Sequence, residues 1–141
     1  SGIAWDTRKG VLAIVSFGSE GYFYRYDTRN RQWLDARSLQ NRDLYSLTFN
    51  PGTGGWVALS DKAELVTFNE RGELEGVQPL QALLRDLDST YDKGNGRLDQ
   101  LTVAADGTAV AILNVRKGTV THIWTWDQVT RRAQLTYKLV E

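Results

Sequence analysis

Phe23-Tyr24-Arg25-Tyr26-Asp27 is the stretch on which the reading of the fold turns. It recurs as Leu65-Val66-Thr67-Phe68-Asn69 and as Ile123-Trp124-Thr125-Trp126-Asp127. Each copy runs apolar, large apolar, polar, aromatic, and ends in Asp or Asn. That pattern predicts a period-2 strand closed by a turn former. Three copies in one chain define an internal repeat.

Working outward, two further strands align upstream of each copy. The first are Ile3-Ala4-Trp5-Asp6, Leu47-Thr48-Phe49-Asn50 and Leu101-Thr102-Val103-Ala104. The second cover residues 12–16, Trp56–Ser60 and 110–114. The steps from Asp6 to Ser16, Asn50 to Ser60 and Ala104 to Asn114 are all ten residues. Between the paired strands lie Arg8-Lys9-Gly10, Pro51-Gly52-Thr53-Gly54 and Asp106-Gly107, which carry tight-turn chemistry. A phosphate loop would need a Gly-rich turn feeding a helix; here a strand follows. A fourth strand is predicted over Gln32–Ser38, 73–77 and 133–140.

Each repeat is thus a four-stranded antiparallel meander of β-propeller blade size. The fold expected is all-β: three blades at about 1–42, 43–97 and 98–141, half of a six-bladed propeller. The offset from Ile3 to Leu47 is 44 residues, whereas that from Leu47 to Leu101 is 54, which places an insertion at about 79–97. Pro79 followed by Leu80, Leu83, Leu84 and Leu87 predicts a short amphipathic helix over 79–87, opened by the proline. A polar loop follows it.

Composition narrows the function classes. The 141 residues suffice for one domain with a core, and Lys+Arg and Asp+Glu balance at 17 each. No global field gathers nucleic acid or an anionic membrane surface. The chain has no cysteine, which removes disulfides, thiolate metal sites and cysteine nucleophiles, and suits the cytoplasm and the bacterial periplasm equally. No apolar run approaches the roughly 18 residues of a membrane helix.

Three blades are too few to close a ring, since propellers typically have four to eight. Two apolar sheet faces would stay open, and patches of that size mark interfaces. Either a second copy completes a six-bladed ring as a homodimer, or the blades belong to a longer propeller. The homodimer is the favoured expectation, because the strands read as whole blades.

The run Ser1-Gly2-Ile3-Ala4-Trp5-Asp6, followed by Gly10-Val11-Leu12-Ala13-Ile14-Val15-Ser16 and Tyr24-Arg25-Tyr26-Asp27, resembles blades of the six-bladed calcium-dependent-phosphotriesterase-like propellers. That superfamily includes senescence-marker-type lactonases, esterase-like phytases and NHL-type blades. Ala105-Asp106-Gly107-Thr108-Ala109-Val110-Ala111-Ile112 resembles them too, so the likeness covers the whole chain at the level of blade pattern. In the lactonase branch a metal sits on the propeller axis, held by residues before first strands and at the ends of second strands. The resemblance places Asp99, Asp61 and Asn114 there, which makes calcium the alternative to no cofactor. Tyr26-Asp27 through Trp33 also resembles kelch blades, without their paired glycine after Ser16.

Other chemistry is sparse. The Asp86, Asp88 and Asp92 cluster fails the calcium-loop pattern of Gly at position six and Glu at position twelve: those positions hold Tyr91 and Arg97 counted from Asp86, and Lys93 and Asp99 counted from Asp88. It reads as a solvated loop. His122, the one histidine, shares a strand face with Trp124 and Trp126 and reads as a packed, hydrogen-bonded residue. Most aromatics are expected between blades. Trp33 and Tyr22, near loops, are the candidates for stacking on a ligand, and Arg25 is expected to pair with a neighbouring blade.

The loop end collects Lys62, Arg116 and Lys117 with Glu20, Arg42, Asp43 and Asp92, and mixed charge of this kind suits a protein, peptide or glycan over a polyanion. The expectation is a non-catalytic binding module. A metal-dependent lactonase or esterase-type hydrolase is the alternative.

Overall fold

A computed structural model describes residues 2–16, 21–91 and 96–140. Among the described residues twelve strands form three separate four-stranded antiparallel sheets, with one helix outside them. The first holds β1 (Gly2–Asp6), β2 (Val11–Val15), β3 (Tyr22–Asp27) and β4 (Gln32–Ser38). The second holds β5 (Leu44–Phe49), β6 (Trp56–Ser60), β7 (Glu64–Phe68) and β8 (Leu74–Pro79). The third holds β9 (Arg97–Val103), β10 (Ala109–Arg116), β11 (Thr119–Asp127) and β12 (Arg132–Lys138). Strand order within each sheet is sequential, and β1, β5 and β9 stand side by side at the inner edge.

The repeated stretch is β3, β7 and β11, and its final Asp or Asn has one job in every copy. Asp27 Oδ1 accepts the backbone N–H groups of Arg29 and Asn30 at 2.9 and 3.2 Å. Asn69 Oδ1 accepts those of Arg71 and Glu73 at 3.0 and 2.9 Å. Asp127 Oδ1 accepts those of Val129 and Thr130 at 2.8 and 2.9 Å. The side chain supplies the acceptor that the reversing backbone needs. Each copy also carries a register shift against its fourth strand, between Arg25 and Tyr26, Thr67 and Phe68, and Ile123 and Trp124. The first two shifts fall at equivalent positions, and the third falls two residues earlier in its copy.

Alternation along the strands divides every blade into two faces. The second blade is covered on both, and β6 is buried along its whole length. Trp56, Ala58, Val66 and Phe68 turn towards Val11, Ala13, Val15 and Phe23 of the first blade. Val57, Leu59 and Leu65 turn towards Val110, Ile112, Trp124 and Trp126 of the third. Arg25 does reach the neighbouring blade: its Nη1 donates to the Glu70 carbonyl at 2.9 Å, while its Nε donates to Asp35 Oδ1 at 3.0 Å.

The insertion differs from its expected boundary. The helix α1 runs Gln81–Leu87, with Leu80 at its N-cap, and Pro79 instead ends β8 opposite Glu64. β8 is the outer strand of its sheet, where a residue without an N–H leaves no ladder bond unmade. Leu80 and Leu84 are buried in the core between the second and third blades, and Leu83 packs against it. Leu87 points outward and is exposed.

The inner ends of the second and third blades approach closely. A Cβ at Gly107 (φ +76°) would lie 2.3 Å from Asn50 Oδ1 and 2.6 Å from Gly52 Cα. Gly118 has nearly the same φ, +77°, with nothing within 4 Å. Both Gly→Ala changes carry the left-handed penalty of about 1–2 kcal/mol, but only Gly107→Ala adds an inter-blade clash. Urea denaturation should show a clearly larger loss for Gly107→Ala than for Gly118→Ala; equal losses would contradict this packing.

Candidate functional site

Two regions carry the residues singled out above: the end of the blades formed by the β4–β5, β6–β7, β8–β9 and β10–β11 connections, and the open face of the first blade. At the loop end, Lys62 lies exposed in the β6–β7 turn. Arg116 closes β10, and Lys117 with Gly118 makes a two-residue turn with both φ positive, 50° and 77°. Such a turn matches the twist of a hairpin and lifts Lys117 clear of the sheet. Arg42 Nε meets Glu64 Oε1 at 3.3 Å, and the same carboxylate accepts from Ser60 Oγ at 2.8 Å. Glu20 and Asp92, counted with this end in the sequence, lie outside the described residues.

A concavity of about 200 Å³ opens here, lined by Tyr45, Asp61, Ala63, Tyr91, Arg97 and Leu98. The Tyr45 hydroxyl donates to the Leu98 carbonyl, and burial pushes the phenol pKa up to about 12. Asp61 is exposed beside it, its N–H bonded to the Asp43 carbonyl at 2.9 Å. Asp99 lies on β9 and pairs with Arg97 Nη2 at 2.7 Å. Asn114 is buried on β10: its Nδ2 donates to Thr121 Oγ1 at 2.7 Å, and its Oδ1 meets no donor among the described residues. No group of three or more Asp, Glu or His able to hold a metal ion occurs among the described residues. The structure thus brings Asp61 and Arg97 to one concavity, pairs Asp99 with that same arginine, and turns Asn114 into the sheet.

Asp88 departs from the solvated-loop expectation. It is buried, 8% exposed, just beyond the C-terminus of α1. His122 Nε2 and Lys138 Nζ both lie 2.9 Å from its Oδ2, and Thr90 donates to Oδ1 through its N–H and its hydroxyl at 3.0 and 2.7 Å. A carboxylate only accepts, so His122 Nε2 carries the proton; Nδ1 sits 3.0 Å from Thr121 Oγ1. The imidazole stacks on Trp124 at 5.0 Å between centroids and 6° between planes, with Tyr91 edge-on at 6.0 Å. His122 is therefore the packed, hydrogen-bonded residue its neighbours predict. Spacing within the loop does not mark Asp88, because its partners come from β11 and β12. The signal available was His122 itself, whose apolar face obliges it to find a buried polar partner.

Burial works against the charge on Asp88, but the hydrogen bonds from Lys138, Thr90 and His122 outweigh it and hold the carboxyl well below the usual carboxylate range. A pKa lowered on folding adds stability above the unfolded value of about 3.9, and that stability is lost as the pH falls through the folded value. Asp88→Asn should lower the unfolding free energy at pH 7 by about 1.5–3 kcal/mol, the range for bonds to a charged group. It should also flatten the loss of stability from pH 4 towards pH 2. Denaturant titrations of both proteins across that window check this, and an unchanged midpoint at pH 7 would contradict it.

Trp33 and Tyr22 lie on the first blade's open face, on β4 and at the start of β3. Tyr22 is 5.9 Å from Tyr24, and Trp33 is 6.0 Å from Tyr24 and 4.9 Å from Tyr26. With Ile14, Leu34 and Ala36, Trp33 and Tyr24 line an open concavity of about 630 Å³. Trp5 and Ile3 continue the surface at 51% and 62% exposure. The outer face of the third blade holds a second concavity of about 950 Å³, bounded by Leu113, Val115 and Val120 and by Arg97, Arg116 and Lys117.

No protein-family model matches this chain, and no curated protein matches it. Solved structures do. One, described as "Crystal structure of RRP9 WD40 repeats", aligns with 96% of this chain at 13% identity and a TM-score of 0.63. The fold is that of β-propeller blades. At that identity the likeness speaks for fold alone, and this chain spans 36% of the chain it matches. The three sheets, their sequential strand order and their face-to-face stacking all belong to that architecture.

Proposed function

We propose that the chain is a non-catalytic β-propeller interaction module. Its open blade faces are covered by further blades, through homodimerisation into a six-bladed ring or within a longer propeller, and its loop end binds a protein, peptide or glycan. The observation that carries this reading is the exposure of Trp5, Ile3, Trp33 and Leu34 on a sheet face, which water alone would not retain. The likeness in fold to WD40 repeats supports the blade architecture on which this reading depends. At the loop end, Lys62, Arg116 and Lys117 stand as the ligand contacts, with Tyr22 as the aromatic one; Trp33 lies beside the β3–β4 turn, at the opposite end of the open face.

The calcium-dependent hydrolase reading, with its six-bladed phosphotriesterase-like ancestry, draws on the unpartnered Asn114 Oδ1. Against it, Arg97 neutralises Asp99, and Arg97, Arg116 and Lys117 gather on this side of the third blade. That positive charge opposes a divalent cation.

The module reading is tested by light scattering together with binding of an apolar fluorescent dye. It predicts either association beyond the 15.9 kDa monomer or a monomer whose open faces bind dye strongly. A monomer that binds no dye would overturn it.

A further inference from the structure

The junction between the first and second blades carries an ion pair that the junction between the second and third lacks. Arg25 on β3 stands opposite Asp35 on β4. Its guanidinium donates to both Asp35 oxygens, at 3.0 and 3.3 Å, and to the Glu70 carbonyl of the second blade at 2.9 Å. The arginine lies across Gly72 (φ +76°), where a Cβ would come within 3.1 Å of its Cδ and Nε.

One blade further on, the counterparts of Arg25 and Asp35 are Thr67 and Gly76, which stand opposite each other just before the same register shift. The wall facing them is also a counterpart. Gln128 follows Asp127 as Glu70 follows Asn69, and Arg131 (φ 56°) takes the left-handed turn position of Gly72. Trp126 stands for Phe68, the ring stacked on Phe23 in the first junction. Thr67 and Gly76 are too short to fill the place of an arginine and an aspartate. Thr67 Oγ1 donates to the Gly76 carbonyl at 3.4 Å, and a Cβ on Gly76 would meet nothing but that hydroxyl, at 3.2 Å. A cavity of about 200 Å³ opens there, and Thr67, Gly76, Glu75, Trp126, Gln128 and Arg131 all line it. Both of its walls belong to described blades. It is smaller than the roughly 300–1,000 Å³ of a drug-sized site, which suits one side chain.

We infer that this cavity takes an arginine side chain of a partner protein, whose guanidinium occupies the place that Arg25 holds in the first junction. The site lies away from the loop end and so goes beyond the module reading. The Gln128 carbonyl stands where the Glu70 carbonyl accepts from Arg25. Glu75, next to Gly76, supplies the carboxylate that Asp35 supplies in the first blade, and among the described residues it has no ion-pair partner. The Trp126 indole adds an aromatic wall, a favoured surface for a guanidinium. A planar fork of donors matches a carboxylate beside a carbonyl better than the point charge of a lysine does. Arg131 at the same cavity opposes a cation, so Glu75 and Arg131 together decide the sign of what enters. Both are exposed, and each can be changed without disturbing the core.

The test is an NMR titration of the isotope-labelled protein with N-acetylarginine amide. Saturable shifts are expected at the Trp126 indole N–H and at the Gly76 and Gln128 amides, and N-acetyllysine amide should bind more weakly. Glu75→Gln should weaken binding about two- to fivefold, and Arg131→Gln should strengthen it by a similar factor, the range for exposed charge pairs. A double variant, Thr67→Arg with Gly76→Asp, rebuilds the pair of the first junction inside the second. Gly76 does not have a positive φ, so its backbone accepts the aspartate. This variant should lose the shifts while remaining folded. Absence of shifts, an equal response to the lysine amide, or binding that survives in a folded double variant would overturn the inference. So would opposite effects of Glu75→Gln and Arg131→Gln, which mark an anionic ligand, or the same shifts with a neutral monosaccharide alone. None of these outcomes alters the dye and light-scattering test of the module reading.

Discussion

A sheet that is apolar on both faces must be covered on both, and among the described residues only the middle blade is. That constraint organises the molecule. Trp56 and Phe68 press one way into the first blade, and Leu59 and Leu65 press the other way into the third. Burying such side chains contributes about 1.5–3 kcal/mol each, so the second blade is the element around which its neighbours are fixed. Polar contacts add direction: Arg25 reaches across one junction to Glu70, and Ser46 and Thr48 reach across the other to Leu101. They set the register of one blade on the next, which the non-directional apolar packing cannot do by itself.

Much of this was legible in the sequence because the signals are local. The alternation in Phe23–Tyr26, the Asx turn set by Asp27, and the ten-residue step between first and second strands all act within a few residues of one another. They survive in every blade. Even the side of the sheet each residue occupies follows from the period of two, which is why Trp5, Phe49 and Val103 share a face. The start of α1 differs from the sequence expectation for a local reason too: Pro79 suits a helix N-terminus and an outer strand equally well, and its pairing with Glu64 decides between them.

The Asp88 cluster was not legible, and the cause is distance along the chain. Asp88 meets His122 from 34 residues away and Lys138 from 50. A test built on loop spacing detects only ligands that one loop supplies. The insertion carries α1 and Asp88 over the end of the third blade, and there the acid pins the β11 histidine and the β12 lysine together. The likeness to WD40 repeats settles the architecture and says nothing of a ligand, since function resides in sites placed on a fold. For this chain the informative surfaces are the loop end with Lys62, Arg116 and Lys117, and the two blade faces that the internal junctions show how to cover.

The size of the particle in solution tests the central claim most directly. A compact ring of two copies should have a radius of gyration of about 19 Å, against about 14 Å for one compact chain of this length. Small-angle X-ray scattering at rising concentration, with a parallel titration of an apolar fluorescent dye, should give either the larger value in a single compact profile or the smaller value with strong dye binding. A radius that stays near the smaller value with no dye bound would contradict the account that these blade faces are built to be covered.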